Sequence, residues 1–190
     1  MTATPSPTQP YTAEAYLAQE VTADTRSEFR NGEIIPMTGG TPEHNKIITA
    51  LNALLWFSLR REPYSLFMTD QRLWIPAVDI YTYPDAMVIA DPVELKPGRK
   101  DTVINAILIA EVLSDSTQAY DRGGKFQAYR TMPSFQEYLL IDPNQPHIEQ
   151  YVKQAENQWL LTESKGIEAQ LALSSIPAAI ALADLYDAVQ

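Results

Sequence analysis

Residues 106–113, with the sequence AILIAEVL, contain one carboxylate, Glu111, in an otherwise apolar run. Apolar residues at both odd and even positions are typical of a strand that is buried on both faces of a sheet. An unpaired buried carboxylate costs several kcal/mol, so a glutamate in such a strand is usually paired, neutralised or bound to metal. The run therefore predicts a central strand in which Glu111 has a compensating partner.

A second carboxylate, Asp85, begins the preceding strand, which we predict over residues 85–89. The segment between the two strands, DPVELKPGRK (residues 91–100), is rich in proline, glycine and charge and predicts a loop between antiparallel neighbours. In that arrangement, the start of the first strand and the end of the second lie at the same edge of the sheet. Two nearby carboxylates repel each other unless a cation lies between them, and such oxygen ligands suit Mg²⁺ or Mn²⁺.

Lys125 lies fourteen residues after Glu111, on a helix that we predict over residues 117–130. Its amine could reach back to the edge that carries the two carboxylates. In phosphodiester hydrolysis a metal orients water, while a lysine helps to activate that water or stabilises the negative transition state. Structural alternatives remain for each residue: Asp85 could cap a turn, Glu111 could pair with a buried arginine, and Lys125 could be solvated.

The remaining pattern predicts an α/β (α+β) fold with a central mixed β-sheet flanked by helices. Asn31-Gly32 between two short apolar runs predicts a hairpin, and Thr41-Pro42 predicts the start of a long helix. The predicted helices cover residues 12–21, 42–61, 117–130 and 175–186. The predicted strands cover residues 26–30, 33–37, 65–68, 71–75, 85–89, 103–113, 135–141, 148–153 and 159–163.

The composition predicts one globular domain over residues 11–190 after a flexible leader over residues 1–10. The chain has no cysteine and two histidines, which excludes disulfides and argues against a zinc site, so any metal would be bound by oxygen. No apolar stretch is long enough to span a membrane, and the N-terminus does not resemble a signal peptide. The sequence therefore predicts a cytoplasmic protein without a membrane partner.

The formal net charge of −10 argues against a simple nucleic-acid-binding protein, because contacts to phosphate need Lys and Arg. The charge is unevenly distributed, however, with −3 over residues 1–25, −1 over residues 26–130 and −6 over residues 131–190. The segment that contains the candidate residues is thus nearly neutral. A bound divalent cation would make its site more positive.

Several blocks, in a fixed order, resemble the bacterial Uma-two family of the PD-(D/E)XK nuclease superfamily. The blocks are Tyr83-Pro84-Asp85-Ala-Met-Val-Ile, Ile109-Ala-Glu111-Val-Leu-Ser114, Tyr120-Asp121-Arg-Gly-Gly-Lys125 and Glu137-Tyr138-Leu-Leu-Ile-Asp142. The resemblance covers roughly residues 26–152 and implies a restriction-endonuclease-like core.

The resemblance also implies roles for individual residues. Asp85 and Glu111 match the metal-binding carboxylates, the backbone carbonyl of Val112 would be a further ligand, and Lys125 matches the catalytic lysine. In the basic pattern of the superfamily, the lysine lies two residues after the glutamate, where this chain has Leu113. The resemblance therefore implies that the lysine has moved to the following helix.

Glu28 and His44 lie where the family tends to have an acid and a histidine, and both could approach the metal. The alternatives are a solvated strand residue for Glu28 and a local hydrogen bond at a helix start for His44. We predict that Asp121 caps its helix and that Tyr129 packs rather than reacts.

The leading hypothesis is a Mg²⁺- or Mn²⁺-dependent DNA endonuclease that hydrolyses phosphodiester bonds. One alternative is a catalytically inactive binding or oligomerisation module with the same fold, and another is a hydrolase of a different phosphate ester. Residues 148–190 offer no reactive cluster, and they could either close the domain or form the interface of a homodimer.

Overall fold

The computed structural model of the chain describes residues 10–189. The predicted leader over residues 1–10 therefore lies, apart from Pro10, outside the described residues, and the single domain over residues 11–190 stays a prediction. No helix in the described part is both long and apolar enough to cross a membrane.

The helices and strands follow the predicted order over most of the chain. The helices are α1 (Ala13–Glu20), α2 (Pro42–Leu59), α3 (Gln118–Tyr120), α4 (Phe126–Tyr129) and α5 (Leu182–Tyr186). The strands are β1 (Ser27–Arg30), β2 (Glu33–Pro36), β3 (Tyr64–Met68), β4 (Arg72–Ile75), β5 (Ile80–Thr82), β6 (Ala86–Ala90), β7 (Thr102–Val103), β8 (Ala106–Val112), β9 (Glu137–Ile141), β10 (His147–Ala155), β11 (Gln158–Lys165), β12 (Gln170–Ala172) and β13 (Ala179–Ala181). A π-helical turn (Asp121–Lys125) joins α3 to α4, and short 3₁₀ helices cover Pro76–Val78 and Asp187–Val189.

Local sequence signals explain the elements that lead to the candidate site. Asn31 and Gly32 have positive φ angles of 52° and 80°, as the turn between β1 and β2 requires. The Thr41 hydroxyl accepts a hydrogen bond from the His44 amide at the start of α2, and Pro42 occupies the first turn. The predicted hairpin and the predicted start of the long helix are therefore both confirmed.

The predicted central mixed sheet is a six-stranded sheet with the order β11-β10-β9-β8-β6-β3. Strand β8 lies inside it, antiparallel to β6 and parallel to β9, and all seven of its residues are buried. The parallel pair needs a crossover, which the helical segment from α3 to α4 supplies. The prediction of antiparallel neighbours for the strands of Asp85 and Glu111 is confirmed.

Helices cover both faces of this sheet, and the side chains of β8 alternate between two cores. Leu108 and Ala110 pack in the core that includes α2 and α5. Ile109 and Leu113 pack in the other core, which includes α4. Glu111 lies between Ile109 and Leu113 in this alternation, so its side chain projects from the same face of the sheet as theirs.

Two further sheets were not predicted as separate units. The five-stranded sheet has the order β2-β1-β5-β4-β7, and β12 pairs with β13 in a two-stranded sheet. Phe29 in β1 pairs with Tyr81 in β5, which fixes the predicted hairpin to this second sheet.

The predicted helix over residues 175–186 is wrong in its first half. Only Leu182–Tyr186 is helical there, and Ala179–Ala181 pairs with Gln170–Ala172 instead. The physical reason is that Glu137, fully buried in β9, accepts hydrogen bonds from the backbone amides of Ser174 and Ser175 and from the Ser175 hydroxyl. These hydrogen bonds hold the backbone of Ser174 and Ser175, which precede the proline at position 177, in a non-helical conformation.

We predict that Glu137→Gln lowers the free energy of unfolding by about 2 to 4 kcal/mol. The glutamine side chain has one oxygen acceptor fewer, and its NH₂ group would face the backbone amides of Ser174 and Ser175, which are themselves donors. Urea denaturation followed by circular dichroism measures this change. Glu156→Gln, at an exposed turn, is the matched control, with an expected change within about 0.5 kcal/mol. Equal stability of the two variants would show that the Glu137 carboxylate does not fix the C-terminal segment.

Candidate active site

The register of β6 and β8 brings Asp85 and Glu111 together. Ala86 pairs with Ala110, so the next position along each strand places Asp85 opposite Glu111. The Val112 amide donates to Asp85 Oδ2 at 2.8 Å, and the Asp85 amide lies 3.4 Å from Glu111 Oε2. Both carboxylates are thus held at one edge of the six-stranded sheet.

Glu111 is almost completely buried, and its Oε1 atom has two polar neighbours. The Tyr129 hydroxyl donates to this oxygen at 2.7 Å, and Lys125 Nζ lies 3.0 Å from it. Burial raises the pKa of Glu111 to about 8, with a lowering contribution from Lys125 and raising contributions from Asp85 and Asp121. The ionised form of the Glu111 carboxylate is therefore costly in this position.

Lys125 is the cation that this cluster contains. Its Nζ lies 3.0 Å from Glu111, 3.4 Å from Asp121 and 3.5 Å from Glu28, and its side chain is 11% exposed. Burial by itself lowers the pKa of Lys125, but the carboxylates of Glu111, Glu28 and Asp121 raise it well above its usual value. The amine is consequently a charged ammonium group.

The π-helical turn from Asp121 to Lys125 places the lysine. The two glycines weaken an ordinary helix here, and single π-helical turns are frequent at functional sites. A Cβ atom on Gly124 would lie 2.5 Å from the ring of Tyr120, so this position needs glycine for the ring to pack against the backbone. Arg30 lies 3.9 Å above the same ring.

Asp121 is not the helix cap that we predicted. The structure gives it no capping hydrogen bond, and its carboxylate is buried beside Lys125. The reason is that the helix begins three residues earlier, at Gln118, so the Asp121 side chain can turn towards the lysine one turn ahead. Tyr129 does pack, as predicted, but its hydroxyl also binds Glu111. The spacing 121, 125, 129 was the available signal, since residues four apart share a helix face.

Glu28 and His44 also reach this edge of the sheet. Glu28 projects from β1, where its Oε1 atom accepts from the Thr82 hydroxyl and lies near Lys125. His44 Nε2 lies 3.4 Å from Asp85 Oδ2. The hydrogen bond to Asp85 raises the pKa of His44 against the effect of burial, and the Val112 backbone carbonyl contributes in the same direction.

The structure therefore brings all the predicted site residues together: Glu28, His44, Asp85, Glu111, Val112 and Lys125. They line one cavity of about 380 Å³. Two connecting segments, residues 37–41 between β2 and α2 and residues 114–117 between β8 and α3, form a large part of the remaining wall.

The donor set fits a hard divalent cation. Among the described residues, no group of three or more His, Cys, Asp and Glu side chains is arranged as a complete metal cage. Mg²⁺ does not require one, because it usually keeps several waters and binds one or two carboxylates. Asp85 and Glu111 offer such a pair, next to the Val112 carbonyl. The excess of carboxylates over ammonium groups around Glu111 favours the same kind of ion.

Comparison with known proteins gives a consistent result. The Uma2 family model, described as "Putative restriction endonuclease", matches residues 13–184. The uncharacterized protein sll1609 of Synechocystis is 44% identical over 163 residues, covering 86% of this chain and 92% of that protein. A second uncharacterized Synechocystis protein, slr1290, is 33% identical over 184 residues and 95% of each chain. A crystal structure of a protein from Anabaena variabilis, described as a putative nuclease belonging to DUF820, covers 94% of this chain and 98% of its own chain. The TM-score is 0.75 and the sequence identity is 18%, so the two proteins share the fold.

We predict that Lys125→Met destabilises the metal-free protein by about 3 to 5 kcal/mol, because the variant leaves buried carboxylates without their cation. The measurement is urea denaturation in EDTA. Lys165→Met removes an ammonium group from an exposed ion pair and should change the stability by less than about 1 kcal/mol. An unfolding midpoint of Lys125→Met equal to that of the wild type would contradict the assignment of Lys125 as the stabilising cation.

Proposed function

The chain belongs to the Uma2 family of restriction-endonuclease-like proteins, and on that basis we propose that it is a Mg²⁺- or Mn²⁺-dependent DNA endonuclease that hydrolyses phosphodiester bonds. The observation that carries the proposal is the position of Glu111. This carboxylate is buried in a central strand, next to Asp85 and Lys125, and it faces a cavity. Such a costly arrangement in a cleft is typical of a functional site.

In this proposal, Asp85, Glu111 and the Val112 carbonyl hold the cation. When bound, the cation supplies positive charge that polarises a water molecule and offsets the charge of the phosphate. The protein keeps the Asp85 carboxylate in place through its Oδ2 atom, which accepts from the Val112 amide and lies 3.4 Å from His44 Nε2. His44 itself is fixed by the first turn of α2.

Lys125 acts as a cation rather than as a proton acceptor. In the metal-free protein, the carboxylates of Glu111, Glu28 and Asp121 raise the pKa of Lys125 well above its usual value, against the lowering effect of burial. Its role in the proposed reaction is therefore to stabilise negative charge on the phosphate oxygens in the transition state. Three neighbours hold Glu111 and Lys125 in position. The Tyr129 hydroxyl donates to Glu111, and the carboxylates of Asp121 and Glu28 lie beside the ammonium group of Lys125.

The inactive module remains the competing interpretation, and the acidic lining of the cavity is the observation in its favour. The carboxylates of Glu28, Asp85, Glu111, Asp115 and Asp121 line this cavity together with one lysine, so a polyanion is repelled unless a cation is bound. The two interpretations differ in what they require. The nuclease needs a divalent cation at Asp85 and Glu111, whereas a binding module does not. The cytoplasmic location and the homodimer stay predictions from the sequence.

We predict that Asp85→Asn and Glu111→Gln each lower Mn²⁺ affinity and DNA cleavage by more than about 100-fold, because each removes a ligand charge. Isothermal titration with Mn²⁺ measures the first quantity, and cleavage of plasmid, linear and single-stranded DNA measures the second. Glu94→Gln, in the exposed loop after β6, is the matched control and should behave as the wild type.

Two results would reject this proposal. If the wild type gives no heat with Mn²⁺, the module is favoured. If Asp85→Asn cleaves DNA as well as the wild type does, then the cleavage comes from a contaminating enzyme or another site. Cleavage of small phosphodiesters but not of DNA would instead favour the hydrolase of another phosphate ester.

A further inference from the structure

A second cavity adjoins the one that contains the candidate active site. It measures about 330 Å³, and the two cavities share Thr41, His44, Ser114 and Asp115 as a common wall. The far side of the second cavity is formed by residues of two other elements. These are Gln118 and Arg122 of the helical segment and Asp142, Pro143 and Asn144 after β9. The roles proposed above involve only one residue of this second cavity, His44.

Basic side chains are scarce in both cavities. Among the described residues that line either one, only Lys125 and Arg122 are lysine or arginine. Apart from His44, the other polar donors are neutral, with the hydroxyls of Ser114, Ser116 and Thr117 in one cluster and amides at Gln118 and Asn144. Hydroxyls and amides also bind nucleic-acid backbones, but without ion pairs.

This lining is poorly suited to a DNA duplex. A duplex carries one negative charge per about 1.7 Å of its axis, and proteins that bind it neutralise several phosphates with Lys and Arg. Five carboxylates line the first cavity, at Glu28, Asp85, Glu111, Asp115 and Asp121. Lys125 and Arg122 are already paired with carboxylates, so together with a bound cation they can compensate one or two phosphates but not a longer run.

The volumes of the two cavities also agree with a substrate segment of one or two phosphates. Volumes of about 380 and 330 Å³ are at the lower end of the range of small-molecule sites, about 300 to 1,000 Å³. Each can hold about one nucleotide. Their common wall makes them suited to neighbouring units of one strand.

We propose that the two cavities bind successive nucleotides of a single-stranded DNA segment, such as a flap or an overhang. The nucleotide that is cut lies in the first cavity, and its neighbour lies in the second, within reach of Arg122. The guanidinium group of Arg122 is held there by Glu149 at 2.8 Å and by Gln118 at 3.0 Å, and its side chain is 37% exposed. This inference rests on the proposed nuclease function and adds the substrate class.

The first test compares three DNA substrates in Mn²⁺: a single-stranded 20-mer, a blunt duplex of the same sequence and a duplex with a six-nucleotide overhang. We expect kcat/KM for the single strand and the overhang to exceed that for the blunt duplex by at least about 10-fold. A second quantity is the salt dependence of binding, measured by fluorescence anisotropy of a labelled single strand at fixed Ca²⁺. Two phosphate contacts predict a slope of log K against log[salt] of about −1.4.

The second test replaces Arg122. Arg122→Gln should raise KM for the single strand about 5-fold, leave kcat within about 2-fold and make the salt slope shallower by about 0.7, since one phosphate contact is lost. Arg122→Lys should recover the slope. Lys100→Gln, on the exposed loop between β6 and β7, is the control and should change none of these values. A purely structural role of the Arg122–Glu149 pair would lower stability without changing the salt slope.

The outcomes separate this inference from the nuclease proposal. Asp85-dependent cleavage that prefers the blunt duplex, with a salt slope steeper than about −5, would overturn the single-strand inference and leave the nuclease intact. An unchanged salt slope in Arg122→Gln would overturn the role of the second cavity. No binding of any oligonucleotide together with no Asp85-dependent cleavage would overturn both proposals.

Discussion

One buried ammonium group determines the arrangement of the candidate site. Lys125 is surrounded by carboxylates from three separate elements: Glu28 from the five-stranded sheet, Glu111 from the six-stranded sheet and Asp121 from the π-helical turn. Each of these carboxylates would be costly at its depth without a cation. The ion pairs therefore couple the two sheets and the crossover helix, and the cavity lies where the three meet.

The centre of the fold could be predicted because its signals are local. The apolar run around Glu111, the Asn31-Gly32 turn and the Thr41-Pro42 helix start each restrict the backbone within a few residues, and each prediction is confirmed. The juxtaposition of Asp85 and Glu111 followed from one further assumption, the antiparallel pairing of their strands. Periodicity and turn chemistry were sufficient for these features.

The parts that could not be predicted depend on contacts between distant segments. The helix expected over residues 175–186 has apolar residues at helical spacing, but Glu137 binds its first amides from a strand almost forty residues earlier. The assignment of strands to two sheets likewise depends on pairs such as Phe29 with Tyr81. Asp121 was predicted to cap a helix because aspartate is common at that position. In the structure, its carboxylate instead lies beside the buried Lys125, and this ion pair determines where the side chain points. Local propensity gives no information on such long-range partners.

The π-helical turn at Asp121–Lys125 also constrains how the length of this segment can vary among related proteins. Such a turn contains one residue more than an α-helical turn, and each residue of an α-helix rotates the following side chains by about 100°. If the same residues formed a continuous α-helix, the part before the turn would rotate by about 100° relative to the part after it. Deletion of one residue together with that conversion would leave the two parts nearly in phase. The loss of one residue is therefore the change in length that this turn accommodates best.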